Sequence, residues 1–137
     1  KFSPNADTTR AMIVTILARL DGKNTAGTPW YAAGRAWAME NGVSDGTNMD
    51  GKITREQLCA MLYRYAQREG YDTTQGGMAI REYEDYNSIS AYALGAMGWA
   101  VNAGLVQGRG GKLAPQAYAT RAEIAVILDR FLTNIVK

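Results

Sequence analysis

One helix-like pattern is written three times in this chain, and it restricts the fold more than any other feature. Each copy centres on a Thr-Arg pair, and the residues three, six, seven and ten positions after Arg10, Arg55 and Arg121 are apolar or aromatic. These residues are Ile13, Ile16, Leu17, Leu20, Leu58, Met61, Leu62, Tyr65, Ile124, Ile127, Leu128 and Phe131. Such spacing places four side chains on one face of an α-helix. The sequence therefore predicts three similar amphipathic helices in a repeat protein.

The residue before each arginine is a threonine, which is a good helix N-cap. Thr54 and Thr120 are followed three residues later by Gln57 and Glu123, which is the pattern of a capping box. The first copy has Met12 at that position, so we expect its helix to have the hydroxyl cap alone.

A second similarity lies upstream of copies two and three. "PWYAAGRAWAMENGV" (29–43) matches "AYALGAMGWAVNAGL" (91–105), and both predict a helix that stops at a glycine. Trp37 and Trp99 occupy the same place in the two stretches, and we expect both in the core. A full repeat is therefore a helix, a glycine-bearing loop and a Thr-capped helix. The first copy lacks the upstream helix, so its apolar face must be covered by other residues, by preceding sequence or by a second copy.

The predicted fold is an all-α single domain over 1–137, because two helices cannot bury both apolar faces without neighbouring repeats. A partial repeat 1 spans 1–24, repeat 2 spans 28–72, a connector spans 73–84 and repeat 3 spans 85–137. The predicted shared core comprises Ile13, Leu17, Leu58, Leu62, Ile124 and Leu128.

Composition excludes several classes of protein. The absence of histidine and the single cysteine rule out Ser-His-Asp and Cys-His catalysis, the usual zinc spheres and an intrachain disulfide. Cys59 lies on or beside the apolar face, where a small buried hydrophobe is expected. The net charge of +2 is spread along the chain, which argues against a nucleic-acid groove. No apolar run reaches membrane-spanning length.

With these features laid out, the chain resembles the S-layer homology (SLH) domain of bacterial cell-surface proteins. The matching pieces are "ITRE" and "ATRAE", "FSPN" and "LAPQ", the two Trp-Ala helices, and Asp85 before "SISAYALGAMGWAVNAGLVQG". The resemblance implies three repeats in a pseudo-threefold arrangement around a helical bundle, the first repeat incomplete at its N-terminus. It also implies non-covalent anchoring to an acidic, often pyruvylated, secondary cell-wall polysaccharide at the cell surface, without catalysis or a cofactor.

The resemblance also implies the binding residues. By position these are the arginines Arg10, Arg55 and Arg121 and the aromatic residues Trp30 and Tyr92, while Arg109 and Lys112 add positive charge in the loop of repeat 3. A guanidinium can bind a ketal carboxylate through two hydrogen bonds near the free amides of a helix start, and an aromatic ring can stack on a sugar. We expect Arg121 and Arg55, the latter with Trp30, to matter more than Arg10.

Other functions fit parts of the sequence. The repeats could mediate S-layer self-association or protein docking without glycan binding, and the arginines could pair with carboxylates to fix the packing. "GTNMDGKITREQ" imitates a calcium loop, but Gly46 and Gln57 stand where carboxylates are needed, so Asp50-Gly51 is predicted to form a turn. A glycosidase is disfavoured because the acidic residues show no pairing signature.

Overall fold

The structure, a computed structural model, describes residues 7–74, 79–108 and 111–136. Its α-helices are α1 (Arg10–Leu20), α2 (Ala32–Glu40), α3 (Arg55–Glu69), α4 (Leu94–Asn102) and α5 (Arg121–Phe131). Short 3₁₀ turns at Ala79–Glu82, Tyr86–Ser88 and Ala91–Ala93 lead into α4, and a π-helical turn at Leu132–Val136 follows α5. None of the helices in these ranges has the length and apolar run needed to cross a membrane. The all-α prediction is confirmed.

The three Thr-capped helices begin as the sequence predicts. In α3 the Thr54 hydroxyl accepts from the Gln57 amide at 3.2 Å, and the Gln57 side chain accepts from the Thr54 amide at 2.9 Å. Thr120 and Glu123 repeat this capping box in α5, at 3.2 and 3.0 Å. At the start of α1 the Thr9 hydroxyl caps alone, accepting from a first-turn amide at 3.3 Å.

A ring of backbone hydrogen bonds joins the residues that lie two positions before each arginine. The amide of Ile53 donates to the carbonyl of Thr8 at 2.8 Å, that of Ala119 to Ile53 at 3.0 Å, and that of Thr8 to Ala119 at 3.3 Å. All three residues are buried. The three copies are therefore joined cyclically in one register, as a pseudo-threefold arrangement requires. For the helices themselves that arrangement stays a prediction.

The apolar stripes of the three helices meet in one core cluster that also holds Trp37 and Trp99. Three positions of the twelvefold pattern differ from expectation. Leu20 is exposed at the last position of α1, and Ile16 and Leu128 are only half-buried. Cys59 is buried, and burial raises the pKa of its thiol to about 12, as suits the small core hydrophobe predicted.

Each upstream helix covers the Thr-capped helix of the preceding repeat. α2 packs on α1 and α4 packs on α3. Gly34 allows the closest approach, since a Cβ there would lie 2.9 Å from the Thr15 Cα. The incomplete first repeat is therefore covered by other residues of this chain. The matching face of α5, at Ala125 and Val126, is exposed.

We predict that Leu62→Ala lowers the free energy of unfolding by about 2–5 kcal/mol, because Leu62 is 1% exposed and its loss leaves a cavity. Leu128→Ala removes the same atoms from a half-buried site and should cost clearly less. Urea denaturation of both variants measures the difference. Equal losses, or a loss below about 0.5 kcal/mol for Leu62, would contradict the described core.

Candidate functional site

Each of the three arginines lies in a groove that it shares with the Thr-capped helix of the next copy. Arg10 shares a groove with α3, Arg55 with α5, and Arg121 with α1. This cyclic relation follows from the ring of backbone hydrogen bonds between Thr8, Ile53 and Ala119. The ring places the start of each Thr-capped helix next to the start of the following one. The three grooves can therefore be compared position by position.

The Arg10 groove has a volume of about 370 Å³ and the most polar lining of the three. Its walls are Arg10, Ser44, Asp45, Gln57, Ala60, Met61, Arg64 and Tyr92. Gly42, with φ of 71°, turns the chain after α2 so that the loop at 43–45 meets α3. The Arg64 guanidinium donates to the Val43 carbonyl of this loop at 3.4 Å. Three repeats thus contribute to one groove.

The Arg10 side chain lines this groove and carries a buried donor. Its Nε is buried and has no hydrogen-bond partner among the described residues. Leaving a buried donor without a partner costs about 1–3 kcal/mol, and more for a charged group. Such an atom is typical of a site that is completed by a ligand or by water.

Asp45 offsets part of the positive charge in the Arg10 groove. The Thr47 hydroxyl and amide donate to its Oδ1 at 2.6 and 3.0 Å. These hydrogen bonds, followed by the nearby charge of Arg10, lower the pKa of the Asp45 carboxyl. The lining therefore carries one ionised carboxylate against the two guanidinium groups of Arg10 and Arg64, and keeps a net positive charge.

Tyr92 forms the aromatic wall of the Arg10 groove. It lies in the 3₁₀ turn before α4 and is 54% exposed. Its hydroxyl lies 3.4 Å from Oε2 of the buried Glu56. The Ser90 amide donates to Oε1 of the same carboxylate at 2.9 Å, and the Ser90 hydroxyl donates to Oε2 at 2.6 Å. Partial burial and the charge of Glu56 raise the pKa of the Tyr92 phenol, so it stays protonated. The hydroxyl fixes the ring, and one part of the ring surface remains open.

The Arg55 groove, of about 290 Å³, has the same plan but a different chemistry. Arg55 is 3% exposed, and its Nε donates to the Leu113 carbonyl at 2.8 Å. Its two terminal nitrogens donate to the Gln107 carbonyl, at 2.9 Å, and to the Glu123 carboxylate in an ion pair. All parts of the guanidinium are engaged within the protein. Leu105, Val106, Val126 and Ile127 make much of the lining apolar, beside Gln107, Glu123 and Arg130.

Asp85 supports this arrangement from the other side of the loop. Its carboxylate accepts from the amides of Leu113 and Ala114 at 2.7 and 2.9 Å. Ala114 has φ of 50°, a left-handed conformation that is uncommon for alanine. Asp85 therefore holds the strained segment whose Leu113 carbonyl binds Arg55.

The Arg121 groove, of about 270 Å³, is mainly apolar. Its other walls are Thr8, Met12, Ile16, Ile124, Ala125 and Leu128. Met12 stands where α3 has a glutamine and α5 a glutamate. The predicted site at Arg121 is thus placed beside hydrocarbon, without a second charged wall in the described lining.

The first amides of α1 and α3 are not free, contrary to the expectation that they help to bind an anion. The first two amides of α1 donate to the carbonyls of Gly51 and Met49, both at 3.0 Å. Those of α3 donate to Ala117 and Pro115, both at 2.9 Å. The next amide in each helix donates to the N-cap threonine. Side chains, not helix-start amides, must therefore supply the donors in the Arg10 and Arg55 grooves.

Comparisons with known proteins identify the repeat. Residues 82–125 match the sequence profile of the S-layer homology domain. This chain contains an S-layer homology domain. Three relatives align with nearly all of the chain: amylopullulanase of Thermoanaerobacterium thermosulfurigenes (28% identity over 93% of the chain), exoglucanase XynX of Acetivibrio thermocellus (27% over 93%) and endoglucanase of Bacillus sp. strain KSM-635 (28% over 98%).

The chain spans only 8%, 13% and 16% of these relatives, so their enzymatic names describe other parts of those proteins. The fold also matches an undecaheme cytochrome from the S-layer of Carboxydothermus ferrireducens. That structure has a TM-score of 0.61 and 23% identity over 98% of this chain and 19% of its own. The S-layer homology domain is a non-catalytic anchoring module of the bacterial cell surface, and residues 82–125 place this chain there.

The domain does not assemble all the residues predicted for binding. Trp30 is an exposed ring, 53% exposed, but it is not among the residues that line the Arg55 groove. Tyr92 of repeat 3 lines the groove of Arg10 in repeat 1, and a ligand-binding role for Trp30 stays a prediction. Lys112 is exposed and lines none of the three grooves, and Arg109 lies outside the described residues.

Sequence reasoning missed Arg64, although a signal for it exists. An arginine follows each Thr-Arg pair nine positions later, at Arg19, Arg64 and Arg130. Arg64 lines the Arg10 groove and Arg130 lines the Arg55 groove. The loop residues Ser44 and Asp45 carry no comparable signal, because their equivalents Val106 and Gln107 differ in chemistry.

We predict that Arg55→Ala lowers the free energy of unfolding by about 3–5 kcal/mol, since it removes the ion pair with Glu123 and takes the donor from two carbonyls. Arg10→Ala should change it by less than about 1 kcal/mol, because no hydrogen bond of its guanidinium within the described residues is lost. Thermal and urea unfolding compare the two. Similar losses would show that both arginines serve the fold alike.

Asp85 predicts a dependence of stability on pH. Burial alone would raise the pKa of its carboxyl, but the amides of Leu113 and Ala114 outweigh this and lower it below its ordinary value of 3.8. The stabilisation is therefore present above that value and is lost as pH falls through the lowered folded pKa. Asp85→Asn should destabilise by roughly 1–3 kcal/mol at pH 7 and by much less near pH 2. Urea unfolding at both values tests this, and an equal loss at both would contradict it.

Proposed function

We propose that this domain holds its protein at the cell wall by binding an acidic wall glycan in the Arg10 groove. The observation that carries the proposal is the buried Nε of Arg10, which has no partner among the described residues and belongs to a side chain that lines a polar groove with net positive charge. Within the described ranges, all three nitrogens of the Arg55 guanidinium donate to protein groups, and the Arg121 groove is mainly apolar.

The groove fits a ligand that is both anionic and cyclic. The guanidinium groups of Arg10 and Arg64 suit a carboxylate such as that of a pyruvate ketal. The exposed ring of Tyr92 can lie against a pyranose, while Ser44 and Gln57 offer polar groups to its hydroxyls. A neutral sugar could accept a hydrogen bond from Arg10 but would bring no counter-charge for the two guanidinium groups, which favours an acidic glycan.

A second candidate function rests on a different surface. Ala125 and Val126 of α5 are exposed, with Val126 at 46%, where the equivalent faces of α1 and α3 are covered by helices. This face favours docking to another protein or S-layer self-association. Concentration-dependent assembly without wall retention would support that function over glycan anchoring.

We predict that Arg10→Ala weakens retention on purified cell-wall sacculi by about 1.5–3 kcal/mol, the scale of a lost charge-assisted hydrogen bond. Arg10→Lys should rescue only part of this, since lysine keeps the charge and loses the planar fork. Co-sedimentation with sacculi, before and after removal of the secondary polymer, measures retention. Arg19→Ala is the matched control, because Arg19 is an exposed arginine of the same helix outside the grooves.

Three outcomes would count against this function. Retention that survives removal of the polymer would indicate binding to peptidoglycan or to a wall protein. Equal loss in the Arg10 and Arg19 variants would indicate general charge attraction. Full retention by Arg10→Ala would exclude the Arg10 groove.

A further inference from the structure

The Arg10 and Arg55 grooves differ at the third residue of the helix that faces the arginine. Gln57 of α3 lies in the Arg10 groove, and Glu123 of α5 lies at the same helical position in the Arg55 groove. The two side chains have nearly the same shape, and both belong to capping boxes. The difference between them is one terminal atom.

The capping box fixes the direction of that atom. In each helix Oε1 accepts from the N-cap threonine amide, at 2.9 Å for Gln57 and 3.0 Å for Glu123. The second terminal atom is therefore left to face the groove. In Glu123 it is Oε2, which forms the ion pair with Arg55. In Gln57 it is an amide nitrogen, which can only donate and so cannot pair with a guanidinium.

We propose that this residue decides which arginine can take a ligand: Gln57 keeps Arg10 available, and Glu123 holds Arg55 inside the protein. Glu123 ties Arg55 into a structural contact between two repeats. Gln57 forms no such ion pair, so the equivalent contact at Arg10 stays open to a ligand. The ligand part of this inference rests on the proposed function, namely that the Arg10 groove binds an acidic glycan. The pairing part rests on the geometry alone.

Reciprocal, nearly isosteric swaps test the proposal. Gln57→Glu places a carboxylate oxygen beside Arg10, and Glu123→Gln removes it from Arg55, while both keep the acceptor of the capping box. Gln67→Glu is the control, since it makes the same charge change at an exposed position of α3 outside the groove. Pairing is measured without ligand, from ¹⁵N NMR of the arginine guanidinium N–H groups, the terminal nitrogens included, and their exchange with water. Binding is measured by calorimetry with secondary polymer released from sacculi.

We expect Gln57→Glu to slow exchange at Arg10 and to weaken polymer binding by roughly tenfold or more, the effect of one charge-assisted hydrogen bond. Glu123→Gln should speed exchange at Arg55, and Gln67→Glu should leave polymer binding unchanged. Unchanged arginine signals in both swaps would overturn the inference even if the wild type binds polymer. If the wild type binds none while both swaps move the signals as expected, the proposed function fails and the pairing rule stands. Wild-type affinity in Gln57→Glu despite a paired Arg10 would overturn the ligand part.

Discussion

The arrangement of this domain depends on three backbone hydrogen bonds that join Thr8, Ile53 and Ala119 in a closed ring. Each of these residues lies directly before an N-cap threonine, so the ring fixes the starts of α1, α3 and α5 relative to one another. All three are buried, where an unpaired amide or carbonyl would be costly. The ring therefore resists any shift of one repeat along its neighbour. The arginine that follows each threonine consequently lies at a contact between two repeats.

One plan carried out three times gives three grooves with different chemistry. The core positions repeat closely, because each stripe must fill the same shared interior. The groove positions are freer, and the polar set of Ser44, Asp45 and Gln57 in one groove becomes Val106, Gln107 and Glu123 in the next. Packing constrains the core positions in all three copies, whereas the residues of a binding site are needed in only one groove. The fold can thus persist while the three grooves serve different roles.

The two arginines at the described helix starts of α1 and α3 illustrate these roles. Arg55 is almost wholly removed from water, and such a charge is tolerated only with hydrogen-bonding partners for its nitrogens. Two carbonyls and the Glu123 carboxylate supply them, and Asp85 orders the loop that carries one carbonyl. Arg10 remains partly accessible in a groove with a second guanidinium and an aromatic wall. Because water can solvate the outer part of Arg10, its incomplete pairing costs less free energy than the same lack of partners would cost at the buried Arg55.

The sequence by itself determined the helices, their capping and most of the core, because these depend on residue spacing of less than one helix length. The twelve stripe positions, the Thr54 and Thr120 boxes and the burial of Trp37 and Trp99 are all local patterns. The tertiary structure alone decided which helix each arginine faces, and that choice separates Arg55 from Trp30 and joins Arg10 with Tyr92. These partners are far apart in the chain and meet only through the cyclic pairing of the repeats. The free energy of an arginine depends on the atoms around its guanidinium, so its role could not be read from a Thr-Arg motif that is the same in all three copies.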